Sequence, residues 1–145
     1  MSLIVKRFDY TKLSRTSLDG KRVYACPDGN AVASVTTILD STKDKTHLIE
    51  WRKRVGEETA KRITKEASGM GTRMHKYIEN YINDGTWGTP GSNPYSQQAF
   101  KMAQVVHNNA LKDVDEIWGS EVGLYFPKIY AVSYTHLTLP TNREV

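Results

Sequence analysis

From Asp44 to Leu111 the apolar residues recur with the spacing of helices, and only from Ile117 to Phe126 does the pattern change to alternation. A chain ordered in this way puts helices first and a strand behind them. DKTHLIEWRKRV sets Leu48, Trp51 and Val55 at helical spacing, which favours Trp51 in the core over an accessible ring that could stack on an unpaired base, with Arg52, Lys53 and Arg54 consecutive around the turn. Gly56 interrupts, and GEETAKRITKEAS follows, with Glu57 and Glu58 ahead of Lys61, Arg62 and Lys65, the order that suits a helix dipole. Gly69-Met70-Gly71-Thr72 then reads as a turn, with Thr72 capping a new helix from about Arg73 to Asn83. Met74, Tyr77, Ile78 and Tyr81 form the apolar stripe of that helix. After a Gly/Pro loop over residues 84–94, Ala99, Met102, Ala103, Val106 and Ala110 define a helix from about Tyr95 to Leu111. The aromatic and branched residues from Ile117 onward then favour a strand ending at Pro127.

Ahead of the helices, GKRVYACPDGNAVA places Val23 and Tyr24 before a Pro27-Asp28-Gly29-Asn30 cluster and Ala31 to Ala33 after it, the mark of a β-hairpin. Ser34 heads SVTTILD, where its hydroxyl is expected to cap a short helix that buries Val35, Ile38 and Leu39.

A length of 145 residues, 39% hydrophobic and 25% charged, suits one globular domain. Cys26 is the sole cysteine, which excludes internal disulfides, cysteine-rich zinc sites and protein-ligated iron–sulfur clusters and fits a reducing cytoplasm. Lys6, Arg7 and Asp9 interrupt the stretch where a signal peptide needs its apolar run, and no apolar segment long enough to span a membrane occurs. The formal charge of +4 is unevenly spread: residues 1–76 carry 16 Lys/Arg against 9 Asp/Glu, and residues 77–131 carry 3 against 6. The basic half is therefore the candidate polyanion-facing half, although cations on solvated helix faces would look the same.

Val132–Thr141, VSYTHLTLPT, back-translates with one choice of codons to a string resembling the adapter of a transposon-based sequencing library. The expectation is that residues 1–131 are the amino-terminal part of one domain and residues 132–145 a non-native tail. That removes His136 as a candidate ligand. A native strand of Tyr, Thr and Leu is the alternative.

His75 and Glu79 stand one helical turn apart, so an imidazole and a carboxylate point the same way and could share a divalent cation. A packed histidine, with Glu79 as a solvated partner of Lys76 or Asn83, is the bland reading. The Gly69–Thr72 turn would offer backbone N–H groups of Gly71 and Thr72 to a phosphate, flanked by Arg73 and Lys76; an ordinary capped helix is again the plain alternative. Arg52, Lys53, Arg54, Lys61, Arg62 and Lys65 make the densest basic block, suited to DNA phosphates.

Taken in order, the hairpin, the SVTTIL segment, WRKRVGEETA, GMGTRMHKYIE and the closing DEIWGSEVGLYFPKIYA resemble the phage exonucleases related to the mitochondrial genome maintenance exonuclease, in the RecB-like branch of the PD-(D/E)XK nucleases. The resemblance spans about residues 20–131 and is sharpest at Gly71–Glu79 and Ser120–Tyr125. It implies an α/β, restriction-endonuclease-like fold, incomplete here so that the central sheet is barely begun and the strand near residues 114–126 has an unpaired edge. It implies metal-dependent hydrolysis of DNA, acting on single-stranded ends, in the cytoplasm of a phage-infected bacterium. His75 becomes a ligand of Mg²⁺ or Mn²⁺, Glu121 a supporting acid and Glu79 a weaker candidate. Arg52, Arg54, Arg62, Gly71, Thr72, Arg73 and Lys76 become DNA contacts. The family's Asp and Asp/Glu-x-Lys strand have no counterpart here, so the resemblance implies an inactive fragment of an active parent. The alternative from another class is a non-catalytic helical DNA-binding or packaging accessory protein that uses the basic half alone.

Overall fold

The computed structural model describes residues 3–126 and the backbone of 131–135; Pro127, expected to end the last strand, and His136 with the rest of 136–145 lie outside the described residues. The architecture is mixed α/β. Strand β1, Ser14–Leu18, pairs antiparallel with β2, Lys21–Ala25, and β2 pairs antiparallel with β3, Ala31–Ser34. The expected hairpin is β2–β3. At its turn the Asp28 carboxylate accepts from the Asn30 N–H at 3.0 Å, and the Cys26 N–H donates to the Asn30 carbonyl at 2.9 Å. Strand β1 is exposed along its whole length and has no apolar alternation, which is why the pattern of SRTSL does not announce it. Leu13, Tyr24, Cys26 and Val32 form a buried cluster under Tyr125. Burial, and then the Asp28 charge, push the Cys26 thiol above its ordinary range, as expected of an inert structural cysteine.

Ser34 caps helix α1, Val35–Thr42, its Oγ accepting from the Thr37 N–H at 3.1 Å. The expected buried face is a correction: Val35 is half-buried, but Ile38 and Leu39 are exposed, because no described element covers that side. Helix α2, Thr46–Val55, departs in the same way, with Trp51 and Val55 only half-buried and Leu48 exposed. Trp51 is not a core residue.

Helix α3, Glu57–Asp84, is the largest departure. It runs unbroken through Gly69–Thr72, where a turn and a new cap were expected. Thr72 donates its hydroxyl back to the Ser68 carbonyl at 3.0 Å, the interior habit of a helical threonine rather than a cap. Two interior glycines cost about 1 kcal/mol each relative to alanine, a weak preference that docking overrides. The docking is through Ile78 and Ile82, both buried, which pack with Ala103 of helix α4, Pro94–Asn109, and with Leu111 and Ile117. Met74, Tyr77, Trp87 and Val106 lie against this cluster. Met102 and Ala110, expected on the buried stripe of α4, are exposed. Gly85, at φ +72°, ends α3 in the left-handed conformation and donates to the Tyr81 carbonyl at 2.9 Å.

The N-terminal arm closes the helical layer. Leu3 N–H donates to the Ile82 carbonyl and Val5 N–H to the Ile117 carbonyl, each at 2.8 Å, and Ile4 bridges to Ile117. Arg7 grips Glu116 through two nitrogens, at 2.7 and 3.1 Å, while Trp118 Nε1 donates to the same carboxylate at 2.7 Å.

Strand β4, Val122–Phe126, is not unpaired. It pairs antiparallel with β5, Ala131–Thr135, which pairs in parallel with β3, giving one five-stranded sheet in the order β1-β2-β3-β5-β4. Four of the five residues of β5, all but Ala131, come from the stretch expected to be a foreign tail, and the sheet is correspondingly further advanced than expected. Among the described residues no helix is long and apolar enough to cross a membrane.

Ile82 is 0% exposed, so Ile82→Ala is expected to cost about 2–5 kcal/mol in chemical denaturation, among the largest single-site losses in the helical layer. The hydrogen bonds from Arg7, and then Trp118, hold the Glu116 carboxyl below its ordinary range. That contribution is complete above the unfolded glutamate value, about 4.3, and is lost as pH falls through the lower folded one. Amide exchange should therefore show Val5 losing protection below about pH 4 before Ile82 does, and Glu116→Gln should remove the pH dependence of the difference.

Candidate active site

Because α3 is continuous, its geometry decides which side chains meet. At 100° per residue, positions 68, 71, 72, 75 and 79 fall on one stripe, beside the stripe that buries Ile78 and Ile82. Ser68, Gly71, Thr72, His75, Lys76 and Glu79 line an open cleft of about 510 Å³, and its remaining lining residue, Glu121, arrives from just ahead of β4. Of the residues singled out in the sequence, His75, Glu79, Glu121, Gly71, Thr72 and Lys76 are thus brought to one place.

His75 is half-buried in the cleft wall and belongs to neither hydrophobic cluster. Glu79, also half-buried, holds the Lys76 ammonium at 2.9 Å. The hydrogen bond and charge of Glu79, followed by the more distant Asp84 and Glu121, raise the Lys76 ammonium above its ordinary range, so it stays protonated. Glu121 is expected on the strand but sits one residue before it, at φ +54°, a left-handed conformation uncommon for a glutamate. Its neighbour Ser120 has a buried hydroxyl without a hydrogen-bond partner among the described residues.

One expectation fails on this geometry, and the cations divide between two places. The Gly71 and Thr72 N–H groups lie inside a helix and are not the free donors of a helix start, so they offer no phosphate cradle. Arg73 points away from the cleft: with Arg62, Lys65, Glu66, Gly69 and Tyr95 it lines a second cleft of about 430 Å³. Arg52 and Arg54, exposed in the last turn of α2, line neither.

One imidazole nitrogen and two carboxylates are suitable donor types for Mn²⁺ or, through oxygen, Mg²⁺. Among the described residues, however, no three His, Cys, Asp or Glu side chains are grouped as a metal site. His75, Glu79 and Glu121 therefore do not make a complete cation site by themselves. Tyr95, Lys65 and Gly69 were not singled out for their place in the second cleft. The signal for them was the spacing Arg62, Lys65, Gly69, Arg73, which shares a face only once the helix is read as unbroken.

Compared with protein-family models, with curated proteins and with solved structures, the chain matches none.

Nothing lies within 4 Å of where a Cβ would sit on Gly71. Gly71→Ala should then raise stability by about 1 kcal/mol in a denaturant titration, as in any open helix interior. A loss of stability would mean that the chain breaks there after all.

Proposed function

We propose that this chain is the amino-terminal part of a metal-dependent DNA nuclease with a restriction-endonuclease-like fold, in the RecB-like branch, acting on single-stranded ends in the cytoplasm of an infected bacterium. The observation that carries the reading is the meeting of His75, Glu79 and Glu121 in one cleft, since Glu121 is remote in sequence and was named from motif resemblance alone. The motif's turn reading of Gly69–Thr72 does not contribute, and the resemblance now rests on these three side chains.

Phosphodiester hydrolysis needs an activated water and positive charge at the developing oxyanions. A bound divalent ion would supply both. Within this chain, His75 would offer one donor, Glu121 or Glu79 would orient or neutralise, and the protonated Lys76 would face a substrate phosphate once drawn from Glu79. The family's Asp and Asp/Glu-x-Lys strand would complete the set in the parent chain.

A second reading is a DNA-binding accessory protein without catalysis. It is favoured by the ion pair that already engages Glu79 and by the lack of a three-ligand group among the described residues. The parent gene separates the two: codons beyond Ala131 encoding Asp followed by Asp/Glu-x-Lys support the nuclease, and an early stop supports the binding protein.

The 145-residue chain should leave labelled single-stranded DNA intact in Mn²⁺. The parent chain should degrade it, and His75→Ala should slow the parent at least on the order of 100-fold. Hydrolysis by the parent that is undiminished in His75→Ala would sink the assignment.

A further inference from the structure

We propose that the second cleft, between α3 and the start of α4, is a seat for single-stranded nucleic acid, with Arg62, Lys65 and Arg73 on phosphates and Tyr95 stacked on a base. It rests on the DNA reading above but not on catalysis. Three cations and one acid, Glu66, line about 430 Å³. Among the described residues none of the three cations is held in an ion pair, unlike Arg7, Lys45 and Lys76. Unpaired cations crowded on one helix face repel one another, and a polyanion relieves that repulsion while releasing its counterions.

Two further features favour a strand over a lone anion. Tyr95, in the first turn of α4, is 44% exposed and lines the same cleft as the cations, an aromatic side chain on which a base could stack. Gly69 leaves the helix surface bare where Arg73 lies: the guanidinium Nη1 is 3.3 Å from the place a Cβ would occupy. The glycine thus leaves room for the Arg73 guanidinium, which a Cβ there would crowd. The two clefts share α3, roughly a quarter-turn apart in azimuth and about 10 Å apart along the axis, so a strand seated at one continues toward the other.

The test is fluorescence anisotropy of the 145-residue chain with labelled oligothymidylate in EDTA, where no hydrolysis intervenes. Arg62→Ala with Arg73→Ala should weaken binding at least about tenfold and lower the salt slope by about two. Tyr95→Ala should weaken it about tenfold on oligothymidylate yet leave an abasic oligomer unaffected, and Tyr95→Phe should bind as the original does. Arg62→Gln with Arg73→Gln repeats the charge removal with a side chain of similar polarity, and thermal melts confirm folding of each variant. Unchanged affinity in the arginine variants overturns the proposal. So does an equal loss on the abasic oligomer in Tyr95→Ala, or tripolyphosphate competing as well as DNA. A chain that binds through this seat while its parent never cleaves would refute the nuclease and leave the seat standing.

Discussion

The seam between α3 and α4 governs everything that α3 displays. Ile78 and Ile82 lock into Ala103, Leu111 and Ile117, and that contact fixes the rotation of a 28-residue helix about its own axis. Each residue step turns the surface by 100°, so the face bearing His75 and Glu79 and the face bearing Arg62 and Arg73 are both set by where the isoleucines point. A rotation of one residue step would bring a charged stripe against hydrocarbon, which the desolvation of an imidazole or guanidinium forbids. Side chains far from the seam are positioned by it.

Local signals carried much of the fold. The hairpin at Pro27–Asn30, the Ser34 cap, the break at Gly56 and the extents of α2 and α4 follow from residues within a few positions of one another. What failed was of two kinds. At Gly69–Thr72 the local preference of two glycines pointed to a turn, and a tertiary contact several residues away outweighed it. At Ile38, Leu39, Leu48 and Met102 the apolar period marked a face without saying whether anything would cover it. The pairing of β5 with both β3 and β4 was hidden because long-range strand pairing leaves little trace in a short window.

The candidate site was legible only in part. His75 and Glu79 follow from helical spacing, whereas the arrival of Glu121 beside them depends on the chain returning after α4, and only motif resemblance named it. The cations divided in a way that charge counting could not foresee. Arg7 is spent on tying the N-terminal arm to Glu116 and Lys76 on Glu79, while the face of α3 bearing Arg62, Lys65 and Arg73 keeps its field directed outward. Existing ion pairs, rather than density along the chain, separate the cations already engaged from those that are not.

The backbone at Glu121 has an implication of its own. A left-handed glutamate is less comfortable than a glycine or asparagine there, by about 1–3 kcal/mol for a sparsely populated conformation. A chain under pressure for foldability alone would drift toward those smaller residues at this corner. Held in that posture one residue before β4, Glu121 nevertheless lines the cleft beside His75 and Glu79.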